Sequence, residues 1–251
     1  MKVFVLTEDG CGMASRCLPA LLTAKNVEVA NVILVDPAPR RKMRILKKVF
    51  KIGILGAING VRMRAWYSDQ EHPLEVVCRQ FGIPFICGLR QNSVELQKIV
   101  VEMNADLGLS LGNGFISSKI FSLPRFGMLN VHSEILPRYQ NAQSIIWPIY
   151  FNDPYTGFSI HEIERKIDGG RILYQRRVPI RFYESLEQTV RENRRIVESM
   201  IPLALAEVCR NFDRYKANAI VQLNGSTYTT PSIWSYFRMV RNNRKFYAQQ
   251  H

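Results

Sequence analysis

The chain opens on a short apolar run, Lys2 to Leu6, that stops at Thr7-Glu8-Asp9-Gly10. That length and that polar stop predict a strand running into a loop. From Met13 to Ala24, the residues Met13, Cys17, Leu18, Leu21 and Leu22 fall on one helical face. Val27 to Val35 is again strand-like and closes at Asp36-Pro37. Strand, helix and strand of these lengths predict a βαβ unit, and therefore a parallel sheet.

The alternation continues. Helices are expected at Pro73 to Phe81, Ser93 to Met103 and Leu186 to Cys209. Strands are expected at Pro84 to Cys87, Ala105 to Leu111, Gly127 to His132, 156 to 163 and 171 to 180. The predicted fold class is α/β, a mostly parallel twisted sheet with flanking helices. After residue 210 the pattern breaks at Asn224-Gly225-Ser226 and Pro231, and aromatic residues become frequent. The expected organisation is one domain over 1–210 and a small appendage over 211–251. The aromatics there read as a small core or an oligomer contact, so a homodimer is an open alternative.

Residues 40 to 66 carry Arg40, Arg41, Lys42, Arg44, Lys47, Lys48, Lys51, Arg62 and Arg64, with no acid among them. Apolar positions recur at Met43, Leu46, Val49, Phe50, Ile54, Ala57, Ile58 and Val61, which is helical spacing with a basic side. One reading is a weak contact with an anionic membrane surface or with phosphate. The other is a solvated helix packed on its own sheet.

Totals narrow the class. A chain of 251 residues with 47% hydrophobic and 22% charged residues can bury a sizeable core without cross-links. The five cysteines show neither CxxC spacing nor a neighbouring histidine at ligand spacing, so they read as free thiols and no metal site is expected. The first apolar run is too short for a signal peptide or a span, and a cytoplasmic location is expected. A net charge of +13 favours acidic partners without choosing among them.

The chemistry concentrates between Gly127 and Gln175. Asn130 and His132 are two apart on a strand and point the same way, near its carboxyl end. In open α/β sheets that end is where ligands bind. Asp168 precedes two glycines that let the backbone turn and present its carboxylate. Acyl transfer to an amine needs a donor for the oxygen that gains charge, and a base for the proton the amine sheds. An amide, an imidazole and a carboxylate suffice for both. Ser133 lacks a Gly-x-Ser-x-Gly elbow, and Gly112-Asn113-Gly114 lacks the third glycine of a dinucleotide fingerprint. His161 has no partner identifiable in the sequence and reads as structural.

Asn130-Val131-His132, Leu136-Pro137-Arg138-Tyr139 and Asp168-Gly169-Gly170 together resemble the folate-dependent formyltransferase family. The resemblance implies that residues 1–210 form a formyltransferase catalytic domain and that 10-formyltetrahydrofolate is the co-substrate. It implies that Asn130 and His132 contact the formyl oxygen and that Asp168 handles the proton, directly or through water. It also implies a folate pocket lined by Gly112, Asn113, Gly114, Phe115 and Ile116, with Glu164 and Lys166 in the opposite wall. Arg138, Tyr139 and Gln143 are the implied substrate-binding residues.

The chain departs from the family at Ser133-Glu134, where Pro-Ser or Cys-Ser is frequent, and at Gln140-Asn141, where Arg-Gly is frequent. Its N-terminal turn, Asp9-Gly10-Cys11-Gly12, is not the glycine-rich phosphate loop of the purine enzymes. About forty residues after Cys209 cannot supply a tRNA-binding β-barrel. The pattern is closest to the sugar-nucleotide N-formyltransferases. A nucleotide-linked amino sugar is the expected partner, with no nucleic acid. Glycinamide ribonucleotide or another small amine is the alternative acceptor, and a non-catalytic basic module on the same fold is a second alternative.

Overall fold

The computed structural model describes residues 1–37, 42–68 and 73–250. In chain order the elements are β1 (Lys2–Thr7), α1 (Met13–Thr23), β2 (Glu28–Asp36), α2 (Lys42–Arg64), α3 (Leu74–Gln80), β3 (Phe85–Arg90), α4 (Val94–Met103), β4 (Leu107–Ser110), α5 (Ser118–Phe121), β5 (Met128–His132), α6 (Ile146–Tyr150), β6 (Tyr155–Glu162), β7 (Ile172–Pro179), α7 (Leu186–Arg210), α8 (Phe212–Ala217) and α9 (Ile233–Gln250). A short 3-10 turn, Ala65–Tyr67, follows α2.

Among the described residues, seven strands form one sheet in the order β3-β2-β1-β4-β5-β6-β7. The first five run parallel, and β6 and β7 are antiparallel. Strand order therefore reverses between β1 and β4. A crevice opens outside their carboxyl ends, where one connection leaves to each side of the sheet.

The two-residue period of β1 divides the core. Val3 and Val5 pack with Ala14, Cys17, Leu18 and Leu21 of α1 and with Val197, Ile201 and Leu205 of α7. Phe4 and Leu6 face the other way, toward Leu96, Val100 and Met103 of α4. All four β1 residues are fully buried, which is why this strand is apolar throughout rather than alternating. Each such side chain contributes roughly 1.5–3 kcal/mol relative to exposure. A third cluster, with Trp66, Tyr139, Ile146, Ile149, Phe182 and Met239, joins α6 to α7 and α9.

The basic helix packs against α9 and the 3-10 turn. Arg40 and Arg41, and the side chains of residues 42–48 and 51, lie outside the described residues. Helical geometry breaks at Gly53, with φ 75° and ψ 163°, a region open to glycine. Before the break Ile52 is buried and Phe50 exposed; beyond it Asn59 and Met63 are buried, while Ile54, Ile58 and Val61 are exposed. Gly56 and Gly60 explain the choice of face. A Cβ at Gly60 would lie 2.5 Å from Thr230 Cγ2, and one at Gly56 would lie 3.3 Å from Ser232 Cα. These two small residues let the segment leading into α9 press against α2. The large aliphatic residues are left on the outside.

Candidate active site

The carboxyl end of β5 presents Asn130 and His132 to the crevice, on one face as their spacing requires. A directed chain of hydrogen bonds orients Asn130. Asn113 Nδ2 donates to Leu6 O (2.6 Å) and lies 3.0 Å from Ser110 Oγ, to which it also donates. Ser110 Oγ donates to Asn130 Oδ1 (3.1 Å). Asn130 Nδ2 then lies 3.2 Å from His161 Nε2, and His161 Nδ1 lies 2.8 Å from Glu162 O. The carbonyl of Glu162 can only accept, so in the neutral ring Nδ1 carries the proton and Nε2 accepts from Asn130. One amide hydrogen of Asn130 is used. The other has no protein partner among the described residues.

His132 is fixed by a different carbonyl. Its Nε2 is 2.7 Å from Tyr139 O, so Nε2 carries a proton. The remaining nitrogen, Nδ1, is 3.7 Å from Asp168 Oδ2. Burial is the dominant influence on this ring and pulls its pKa below the ordinary histidine value. The Asp168 charge and the Tyr139 carbonyl act in the opposite direction. At neutral pH the ring is therefore uncharged, with a lone pair on Nδ1.

Asp168 sits in the left-handed region at φ 49°, which Asp tolerates better than most residues. Its Oδ2 accepts from the Asn141 backbone N–H at 2.7 Å, and its Oδ1 is 3.6 Å from His161 Nε2. Burial alone would raise its pKa. In the acid range where this carboxyl titrates, the facing His161 and His132 rings and the Asn141 N–H outweigh burial and hold it at about 2. The turn that follows requires glycine, since a Cβ at Gly170 would stand 2.0 Å from Glu162 O.

These groups open onto a cleft of about 510 Å³. Gly112, Asn113, Gly114, Phe115 and Ile116 line it together with Ile163, Glu164, Lys166 and Ile167. Gln143 also lines it, and its buried Oε1 has no protein partner. Arg16 and Arg194 also line it, both paired with Glu198 (2.6 and 2.7 Å).

Arg138 and Tyr139, expected to bind substrate, have side chains that are held elsewhere. The Arg138 guanidinium pairs with Asp153 at 2.7 Å, and the Tyr139 hydroxyl donates to the same carboxylate at 3.1 Å. Neither side chain lines the cleft. The aromatic cluster beneath the loop draws the Tyr139 ring inward, so this residue serves the cleft through its carbonyl.

Four contributors were not foreseen. His161 joins Asn130 because the antiparallel β5–β6 register sets the two directly opposite. Only knowledge of that register would reveal the pair. Glu134, at a departure from the family pattern, is fully buried. Its Oε1 accepts from Ile145 N (2.5 Å) and Thr156 Oγ1 (2.8 Å), and its Oε2 accepts from Ile135 N (3.2 Å). Burial pushes its carboxyl up to about 8 against the pull of these donors. It pins Ile145 at φ 72°, costly for a β-branched residue, and so shapes the cleft wall before it. Finally, Gln140 Nε2 and Gln222 Nε2 both donate to Asp168 O (3.1 and 2.9 Å), which ties the segment after α8 to the site.

A methionyl-tRNA formyltransferase from Sorangium cellulosum is 32% identical over 109 residues, 43% of this chain and 35% of that protein. The match thus spans about a third of that relative's length. Among solved structures, a sugar N-formyltransferase from a Shewanella species superposes with a TM-score of 0.57 at 16% identity, covering 96% of this chain and 87% of the other. A phosphoribosylglycinamide formyltransferase from Anaplasma phagocytophilum gives 0.60 at 14% identity, covering 92% and 98%. At such identities these likenesses speak for the fold. The formyl transferase sequence profile matches residues 1–205, most of the chain, and 10-formyltetrahydrofolate is the formyl donor that goes with it. The chain belongs to the formyl transferase family.

Proposed function

We propose that this protein is a cytoplasmic enzyme that transfers a formyl group from 10-formyltetrahydrofolate to the amino group of a nucleotide-linked amino sugar. The observation that carries the chemistry is the meeting of Asn130, His132 and Asp168 at one cleft. Bound folate would supply the activated formyl group. Phe115, Ile116, Ile163 and Ile167 offer apolar surface on both sides of a slot suited to a flat ring.

The free amide hydrogen of Asn130 points the residue to the formyl oxygen, as a preorganised donor. The lone pair on His132 Nδ1 suits it to take the amine proton. The Asp168 carboxylate, 3.7 Å away, then stabilises the imidazolium that results; as the formyl C–N10 bond breaks, that proton passes to N10 and tetrahydrofolate leaves. In this assignment His132 acts as the base, and Asp168 handles the proton through it.

Asp9 favours a sugar nucleotide over a small phosphorylated amine. Its Oδ1 accepts from Cys11 N at 3.0 Å, and its carboxylate crowds Gly12 at the start of α1. A negative charge there opposes a phosphate at the N-terminal end of the helix. Arg16 and Arg194, which line the cleft with Glu198 between them, keep a net positive charge that favours a diphosphate.

The test is to incubate the protein with 10-formyltetrahydrofolate and a panel of amino-sugar nucleotides, with glycinamide ribonucleotide alongside. Formylation of a sugar nucleotide is the expected result. Turnover on glycinamide ribonucleotide alone would remove this acceptor while leaving the transfer chemistry.

A further inference from the structure

The positive charge of this protein is not spread over it. Residues 37–68 contain nine Lys and Arg, and residues 214–251 contain six; neither stretch contains an acid. Together they hold 15 of the 34 basic residues and none of the 21 acidic ones. The remainder, with 19 basic against 21 acidic residues, is nearly neutral. The surplus is therefore carried by α2 and the segment before it and by α9, apart from Arg214 and Lys216 on α8.

The same two helices pack together and expose large apolar side chains. Arg62 Nη2 donates to the Tyr236 hydroxyl at 3.2 Å across the contact. On α2, Ile54, Ile58 and Val61 follow i, i+4, i+7 spacing and are 72%, 62% and 63% exposed. Leu55 beside them and Phe50 before the Gly53 break are exposed as well. On α9, Trp234 is 79% exposed, with Phe237 one turn on. The buried side of α2 takes the glycines, and the outward side takes the aliphatics. That distribution suits a helix with an apolar medium outside it.

We propose that the α2–α9 face docks the enzyme on an anionic phospholipid bilayer. Aliphatic and aromatic side chains would enter the boundary between headgroups and acyl chains, while Lys and Arg of the same two helices engage lipid phosphates. A second copy of this chain would bring two like-charged faces together, which opposes pairing. A polynucleotide would answer the charge but leave the aliphatic stripe in water. No described helix is long and apolar enough to cross a membrane, so the contact is peripheral. The 3-10 turn that ends α2 carries Tyr67 into the cleft wall, so docking sets the cleft close to the membrane surface.

The test uses the full chain with vesicles of phosphatidylcholine alone, or with about one third phosphatidylglycerol. The protein sediments with the anionic vesicles, weakly with the neutral ones, and less as salt rises. Trp66 and Trp147 are buried, so the blue shift in emission on binding comes from Trp234 and is lost in Trp234→Phe. Ile54→Ser with Ile58→Ser lowers partitioning by about tenfold or more, with circular dichroism and Tm unchanged because both sites are exposed. Absence of binding to anionic vesicles, or unchanged binding by the double variant, overturns the proposal. So does tighter binding to an oligonucleotide than to the vesicles, or a solution dimer that the double variant splits.

Discussion

Asn130 and His161 face each other across the β5–β6 pair, amide nitrogen to imidazole nitrogen, at 3.2 Å. In the proposed mechanism His161 would act on the reaction through Asn130, as a positioning residue. Asn130→Ala should lower kcat by about 10²–10³-fold, the usual loss of one donor to a charging oxygen. His161→Ala should lower kcat by roughly tenfold, with the folate KM little changed. Since both changes strike one chain of hydrogen bonds, the double variant should be no worse than Asn130→Ala alone. Steady-state kinetics of the four proteins checks this, and additive losses would show that His161 works by another route.

The low pKa of Asp168 has a consequence for acid stability. Its folded value of about 2 lies below the ordinary 3.8, so the unfolded chain takes up the proton first as pH falls. The stabilisation, about 2 kcal/mol, is complete above pH 3.8 and is lost as pH drops toward 2. His132 is also depressed, so its share is present above 6.5 and fades as pH falls through its folded value. Urea titrations across the acid range should show Asp168→Asn with a flatter acid limb than the wild type.

Glu134 behaves in the opposite sense. Its folded value of about 8 stands above the ordinary 4.5, so between those values folding takes up a proton. The stability it supplies is complete below 4.5 and is lost progressively as pH rises through about 8. Glu134→Gln should abolish that slope. It should also cost about 1–3 kcal/mol, because the amide nitrogen then faces the Ile135 N–H that now has an acceptor. Thermal melts over a pH series measure both effects. A higher KM for the acceptor should accompany them, since the Ile145 bend shapes the wall at Gln143 and Ser144.

The sheet was readable in the sequence because its buried strands are apolar runs bounded by Gly, Asn and Asp turns, and because α1 and α7 carry a clear 3.6-residue stripe. The walls of the cleft followed from the loops after β4 and before Asp168. What escaped depends on contacts between distant segments. His161 meets Asn130 only through an antiparallel register, and α2 turns its aliphatics outward only because Gly56 and Gly60 admit the chain before α9. Tyr139 carries a motif position, yet packing beneath the loop takes its ring away from the cleft. Periodicity reports a helix face but does not say which neighbour will claim it.

Gln222 gives the C-terminal segment a stake in catalysis. Its Nε2 donates to both Asp168 O and Gly170 O, at 2.9 and 2.6 Å. Gln222→Ala leaves part of that turn without donors and should lower kcat severalfold while leaving the folate KM in place. Rapid-mixing assays at saturating folate would detect it. Unchanged kcat would mean that Gln140 alone keeps Asp168 in position.

The most direct trial of the account is to follow the acceptor by mass spectrometry during incubation with 10-formyltetrahydrofolate, for the wild type and for His132→Ala. The account predicts a formylated amine with the wild type and a rate lower by about 10²–10⁴-fold with the variant, the usual contribution of a positioned base. Equal rates for the two proteins would contradict it.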